Sequence, residues 1–270
     1  MSKATIILLI SCLFAGSCTE YSRVLKSGNT EEKYAVALKM YHKKDYERAL
    51  PLLEELLVTY RGTDKAEEIY YYYAYCHYGM GNFELAAYHF KNYTQTFFNS
   101  VHQEECAYLF AHCIYRDALP YYLDPTSTIR GIAELQLFLN QYPKSIYKET
   151  CNKEIETLRK SLHKKAYNNA YLYYKISAFK AAAVSFKNIL KDYPDVDDKD
   201  LIDFMIVKST FMLAKNSVET KKEERYNQVF LEYEEFKETN APSSRYYSEA
   251  TEIFEKAKKN LQKHKQQKIN

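Results

Sequence analysis

An all-α fold built from repeated helix pairs is what this sequence predicts, and three observations carry the prediction. Glycine and proline are scarce, six of each in 270 residues, while 46% of residues are hydrophobic. That composition suits stacked helices and argues against β-sandwiches or disorder. Apolar residues recur at offsets of three and four, as in Phe179, Ala182, Phe186 and Ile189, which mark the buried stripe of an amphipathic helix. The same pattern then returns along the chain.

The clearest copy spans 167–196, YNNAYLYYKISAFKAAAVSFKNILKDYPDV. Ala166, Ala170, Tyr173 and Tyr174 space a first helix, and a break falls at 175–177. The second helix stops at Tyr193-Pro194, because the residue before a proline is pushed out of the α region. Related units lead from Asp45-Tyr46-Glu47-Arg48-Ala49 to Tyr60, from Asn82-Phe83-Glu84-Leu85-Ala86 to Phe97, and from Thr128-Ile129-Arg130-Gly131 to Tyr142-Pro143. In all four the small residue (Ala49, Ala86, Gly131, Ala182) precedes the closing aromatic by eleven positions. A more degenerate fifth copy runs from about 227 through Phe236 to Ala241-Pro242. The small residues recur at intervals of 37, 45 and 51 residues, against about 34 for a tetratricopeptide unit. The predicted fold is an all-α, tetratricopeptide-like helix-pair solenoid of about five repeats with a C-terminal closing helix.

In chain order, 1–17 reads as an export signal. Lys3 gives a positive start and 6–14 is an apolar core too short to span a bilayer. Ala15-Gly16-Ser17-Cys18 looks like a bacterial lipobox whose cysteine, Cys18, receives diacylglycerol. Leu9-Ile10-Ser11-Cys12 also fits but leaves an apolar core of only a few residues, and an ordinary cleaved signal without lipid is the alternative. Residues 18–30 read as a tether, and acyl chains at about 0.8 kcal/mol per buried CH₂ hold a protein to a membrane. No later stretch is apolar for long enough to cross.

The first repeat, 31–62, buries Ala37, Met40 and Tyr41, and Pro51 falls early in its second helix, where a missing N–H is cheap. The second, 64–99, opens on Ile69-Tyr70-Tyr71-Tyr72-Tyr73-Ala74-Tyr75 with Tyr78 following. Its register puts Tyr70, Tyr73 and Ala74 in the core and turns Tyr71, Tyr75 and Tyr78 outward. Those three are either further core aromatics or a peptide-binding surface. The third repeat spans 100–143, with a first helix to about 118 and a loop at 120–127. The fourth spans 144–194. The fifth pairs 201–218 with 226–239 through a charged turn at 221–225. A closing helix at 243–261 and a basic tail at 263–270 complete the chain.

Chemistry is conspicuous by its absence. There is no HExxH, GxSxG, Walker A or GxGxxG pattern, and no catalytic residue or cofactor is expected. His102, Cys106 and Cys113 share a helix face, but seven residues of helix rise about 10 Å, too far to share a zinc. The run at 195–200 resembles half a calcium loop but lacks the central glycine and places Ile206 where a bidentate glutamate belongs. No metal site is expected. Cys76, Cys106, Cys113 and Cys151 lack close spacing, and an exported chain could oxidise a pair of them. A net charge of +3 without a compact basic cluster argues against nucleic acid. The chain has 28 tyrosines and no tryptophan, and tyrosine offers apolar contact with a polar tip.

A lipobox followed by about five such repeats closing on Tyr-Pro resembles the BamD family of outer-membrane-protein assembly lipoproteins. The segments that carry the resemblance are 126–145 (TSTIRGIAELQLFLNQYPKS) and 169–196, with Asp124-Pro125 and Leu158-Arg159 with Leu162 in support. It covers nearly all of 31–262. The resemblance implies a lipid-anchored subunit on the periplasmic face of the outer membrane. Its N-terminal repeats, 31–143, would engage unfolded outer-membrane proteins, and 144–262 would dock a BamA-like barrel subunit. Carried onto this chain, the substrate groove would involve Tyr34, Tyr41, Tyr71, Tyr75 and Tyr78, and the docking surface Tyr167, Tyr171 and Lys187. Some relatives place an arginine eight residues before the tyrosine of the fourth Tyr-Pro; here that position is Ser185, with Lys187 as a substitute cation. The alternatives are another lipid-anchored periplasmic adaptor of this repeat type, or a helical-repeat glycan-binding lipoprotein, which would favour exposed tryptophans.

Overall fold

A computed structural model describes residues 21–269. Among them every regular element is a helix. After a short helical stretch at 21–25 come α1 (Thr30–His42), α2 (Tyr46–Thr59), α3 (Lys65–Gly79), α4 (Phe83–Thr96), α5 (Gln103–Arg116) and α6 (Thr126–Gln141). α7 (Lys148–Lys175), α8 (Phe179–Asp192), α9 (Lys199–Lys215), α10 (Glu219–Thr239) and α11 (Tyr247–Ile269) follow. This is the tetratricopeptide-like helix-pair architecture, each odd-numbered helix from α1 to α9 pairing with the helix after it. None of the described helices is long and apolar enough to cross a membrane.

Local chemistry explains the joints. Asn29 caps α1, its side-chain oxygen accepting from the N–H groups of Glu31 and Glu32 at 3.1 and 3.2 Å. The turns inside the first, second and fourth pairs are one motif. Asp45 N–H donates to Met40 C=O at 2.9 Å and Lys44 N–H to Tyr41 C=O at 2.8 Å. Asn82 and Gly81 do the same with His77 and Tyr78, and Ala178 and Ser177 with Tyr173 and Tyr174. Such a C-cap needs one left-handed residue, supplied by Lys44 (φ 60°), Gly81 (φ 77°) and Ser177 (φ 64°).

The eleven-residue rule has a structural meaning. The small residues Ala49, Ala86 and Ala182 are fully buried where paired helices meet. At Gly131 even a methyl group would approach Leu158 Cδ1 at 2.9 Å. The closing aromatics Tyr60, Phe97, Tyr142 and Tyr193 each cap the second helix of a pair, donating N–H to the carbonyl four residues back at 2.8 to 2.9 Å. The fifth pair obeys the same geometry with different residues: Val229 is fully buried and Asn240 N–H caps on Phe236.

Two sequence expectations shift. The charged run at 221–225 is not a turn: α10 begins at Glu219, and Lys222–Glu219 and Lys221–Glu224 pairs one turn apart support a helix there. α11 continues through the basic residues to Ile269 instead of ending at Leu261. Cys76, Cys106, Cys113 and Cys151 are all buried free thiols with no disulfide among them.

Contacts divide the chain into two compact units. Among the described residues the first unit holds 21–119 and 124–158; the second holds 120–123 and 159–269. In the first, one core forms under α1–α3 around Leu52, Leu53, Leu56 and Ile69, and another joins α3–α7 around Phe90, Tyr93, Leu135 and Phe138. The second unit has a single core, from Ala170 and Phe186 through Ile202 and Val207 to Phe236 and Ala257. α7 contributes residues up to Leu158 to the first unit and the remainder to the second.

Candidate functional site

In the first unit the leading helix of each pair carries aromatic rings toward the leading helix of the next. Tyr41 of α1 lies 4.6 Å from Tyr72 and 6.4 Å from Tyr75 of α3, ring centre to ring centre. Tyr71 packs on Tyr75 at 4.8 Å and stacks on His102, just before α5, at 4.2 Å. Tyr75 meets Tyr78 at 6.1 Å, and Tyr78 meets His112 of α5 at 6.0 Å. Tyr108 of α5 stacks on Tyr147 at 4.1 Å, with planes 4° apart. The result is a continuous run of rings across four consecutive repeats, at distances where aromatic pairs attract beyond their buried area.

Each step of the run also has a carboxylate. Tyr34 Oη donates to Glu68 at 2.6 Å. Tyr71 Oη donates to Glu105 at 3.0 Å, and Tyr75 Oη donates to the other oxygen of Glu105. Glu154 of α7 lies 2.7 Å from His112 Nδ1 and 3.5 Å from Tyr108 Oη. Glu154 is buried, and its second oxygen has no partner among the described residues. Burial first, and then the Glu105 bonds, push the phenol of Tyr75 well above its usual value. Burial does the same for Tyr41 and Tyr71, and burial with the Glu68 bond for Tyr34. These phenols stay protonated donors at any physiological pH, so the face offers rigid rings and fixed acceptors and no nucleophile.

All five tyrosines expected in a groove, Tyr34, Tyr41, Tyr71, Tyr75 and Tyr78, thus belong to one face of one unit. The expected split of α3 into core and outward tyrosines differs from what is found. Tyr70 to Tyr73, Tyr75 and Tyr78 are all half-buried. α3 is flanked on both sides, so Tyr70 packs on His89, Tyr93 and Phe97 while Tyr71 and Tyr75 turn toward α1 and α5. The sequence reading missed Tyr72, Tyr108, His112 and Tyr147, and above all the acceptors Glu68, Glu105 and Glu154. One signal was available: Tyr34–Glu68 and Tyr71–Glu105 are each separated by 34 residues, the tetratricopeptide period itself.

In the second unit Tyr167, Tyr171 and Tyr174 form a stacked row along α7, with centroids 6.1 and 6.2 Å apart, and Lys175 lies over Tyr171 at 5.2 Å. Lys187 is engaged elsewhere. Its Nζ lies 2.6 Å from Glu232 of α10, a buried carboxylate that also accepts from Gln228. The structure therefore pairs Lys187 within its own unit and not with the tyrosine row. Ser185 is half-buried beside Tyr173 and Asn188 in a shallow groove.

Among the described residues no group of three or more His, Cys, Asp or Glu side chains is arranged to hold a metal. Burial pushes the thiols of Cys76, Cys113 and Cys151 up to about 12. Burial raises that of Cys106 as well, so none is poised as a thiolate.

A crystal structure of the P58(IPK) TPR domain aligns with a TM-score of 0.40 at 15% identity, covering 90% of this chain and 68% of that one. No curated protein sequence matches the chain. The family model of the outer membrane lipoprotein YfiO matches residues 26–200. That span runs from the start of the helical body through the fourth helix pair into α9, well over half of the chain, so this protein belongs to the YfiO family of outer membrane lipoproteins.

Proposed function

We propose that this chain is a lipid-anchored subunit of the machinery that folds and inserts β-barrel proteins at the periplasmic face of the outer membrane. In that role it binds unfolded outer-membrane proteins and a BamA-like barrel subunit. The observation that supports this reading best is the run of half-buried tyrosines with its ordered carboxylates across the first unit. An unfolded barrel strand alternates apolar side chains with polar ones and exposes its backbone N–H groups. Rings held in place by packing give such a strand apolar contact without a large loss of side-chain freedom on binding. Glu68 and Glu105, already aimed by phenols, give its N–H groups acceptors. The work is binding and handover with no covalent step. Anchorage at Cys18, which lies outside the described residues, would restrict all partners to one surface and raise the effective concentration of each weak contact. Tyr167, Tyr171 and the Lys187 region are the proposed docking side for the barrel subunit.

The test is capture in membranes. A photo-crosslinking residue at Tyr75 should trap newly exported barrel proteins, and one at Tyr171 should trap the large barrel subunit in detergent extracts. Retention on polysaccharide with no barrel subunit recovered would favour the glycan-binding alternative instead.

A further inference from the structure

Antiparallel pairing gives the first unit two rims. One holds the turns within pairs, beginning with α1–α2; the other holds the turns between pairs, α2–α3, α4–α5 and α6–α7. The rims differ in chemistry. The between-pair rim carries the four most exposed large apolar side chains among the described residues: Val101 (90% exposed), Ile146 (84%), Val58 (77%) and Phe98 (71%). Its glutamates Glu31, Glu32, Glu67, Glu68, Glu104 and Glu105 fill the first turns of α1, α3 and α5, where the helix dipole favours negative charge. They leave it net acidic against the exposed Lys26, Arg61, Lys65, Lys144 and Lys148, of which Lys65 already pairs with Glu31. Exposed apolar tips alone would suit a bilayer, but that much negative charge is repelled by anionic headgroups.

The α1–α2 turn has the opposite sign. Lys39, Lys43, Lys44 and Arg48 crowd it against Asp45 and Glu47, and Asp45 is already bound by Arg48 at 3.2 Å. Lys43 and Lys44 are exposed. Lys44 also occupies the left-handed position that Gly81 fills in the equivalent turn of the next pair. Glycine adopts that conformation freely and a side chain does not, so the turn itself gives no reason for a lysine.

The start of the described chain lies on this side. The Arg48 guanidinium stands 5.8 Å from the centre of the Tyr21 ring; burial raises that phenol's pKa, while the nearby Arg48 charge lowers it and Asp45 raises it by less. Cys18 is three residues earlier, and three residues span at most about 10 Å. A lipid on Cys18 therefore fixes which rim meets the headgroups. We infer that the basic α1–α2 turn faces a negatively charged phospholipid surface, with Lys43 and Lys44 in contact with headgroup phosphates. This orients the anchored body with its apolar, acidic rim turned away from the membrane. The inference rests on the anchor proposed at Cys18.

The experiment uses the chain from residue 18 carrying Cys18→Ser, so that no lipid masks the surface. It is mixed at low salt with phosphatidylcholine vesicles containing about a third phosphatidylglycerol, and with pure phosphatidylcholine, and partitioning is read by sedimentation. Binding to the anionic vesicles alone is expected. Lys43→Glu with Lys44→Glu should reduce it about twenty-five-fold, at roughly a factor of five per lysine contact, while circular dichroism stays unchanged. Phe98→Ser with Val101→Ser should leave it intact. Equal binding by the lysine variant, or loss on the Phe98/Val101 variant, overturns the inference. Mass spectrometry of the membrane-extracted chain examines the anchor separately. An unmodified Cys18 would sink both readings, whereas a lipidated Cys18 with an indifferent lysine variant sinks this one alone.

Discussion

The two units solve the same packing problem with different chemistry. In the first, phenols on carboxylates join the helices beside the ion pairs Lys33–Glu55 and Lys65–Glu31. Tyr34 on Glu68 and Tyr71 and Tyr75 on Glu105 link successive repeats, while Tyr60 on Glu31 and Tyr93 on Glu67 link the helices of one pair. In the second, ion pairs span the helices: Arg159–Asp195, Lys187–Glu232, Lys208–Glu249 and Lys265–Glu223, at 2.6 to 3.0 Å. A phenol brings a large apolar body along with its donor, so each junction of the first unit gains both packing and a hydrogen bond. A lysine brings a flexible stem and a charge that water and salt contest. The first unit should thus behave as the stiffer binding face, and the second as the one tuned by its ionic surroundings.

The harshest test removes a core ring from each unit. Phe90 and Phe186 occupy the same repeat position, four residues after the buried alanine, and both are fully buried. Truncation to Ala should cost about 3–5 kcal/mol in either case. All four described cysteines lie in the first unit, so native-state alkylation reads that unit alone. Phe90→Ala should speed labelling strongly and Phe186→Ala only weakly. Equal acceleration by both would mean that the units unfold as one, and the comparison would collapse.

Acid sharpens the contrast. In the first unit His77 and His89 stack at 5.0 Å, with Tyr73 edge-on to both, and neither ring nitrogen of His77 has a partner among the described residues. Burial, then His77 beside it, holds His89 down to about 4, against 6.5 for a free imidazole. Between those values the unfolded chain binds the extra proton and the folded chain does not. The stability from neutral His89 is therefore whole above pH 6.5 and drains away as pH falls toward 4, by about 1–2 kcal/mol after allowing for partial exposure. Calorimetry should show this slope in the first unit's transition, and His89→Gln should flatten it. A slope that survives the substitution would assign the acid sensitivity elsewhere.

Glu105→Gln probes the phenol junctions directly. The amide keeps one acceptor oxygen for Tyr71 or Tyr75 and loses the charge, which should cost about 1–2 kcal/mol. The loss should appear in cysteine labelling, with the second unit's transition unmoved.

These contrasts also show how much the sequence could disclose. Buried alanines and closing aromatics were legible because helix pairing acts within about forty residues and leaves a fixed interval, as Ala49–Tyr60 and Ala182–Tyr193 do. The fifth pair blurred because Val229 and Asn240 fill the same roles with other residues. Charge misled at 221–225, where a polar run reads as a turn until its partners one helical turn away are seen. The tyrosines of the candidate face could be named in advance, but their acceptors could not. Which carboxylate a phenol reaches is decided by how one repeat stacks on the next, and that choice leaves no mark on local periodicity beyond the spacing of 34.

Salt should produce the smallest effect, and it runs opposite to acid. Going from about 0.1 M to about 1 M NaCl shortens the screening length from roughly 10 to 3 Å. Exposed pairs such as Arg159–Asp195 and Lys265–Glu223 contribute at most about 1 kcal/mol each, and salt removes only part of that. The Lys187–Glu232 pair resists better, because Glu232 is buried and also held by Gln228. A fall of about 0.5–1 kcal/mol in the second unit's stability is expected, while the first unit holds steady or rises slightly as salt strengthens apolar burial. If the first unit weakened more, its junctions would depend on charge instead of on phenols packed against fixed acceptors, and the contrast between the two units would be reversed.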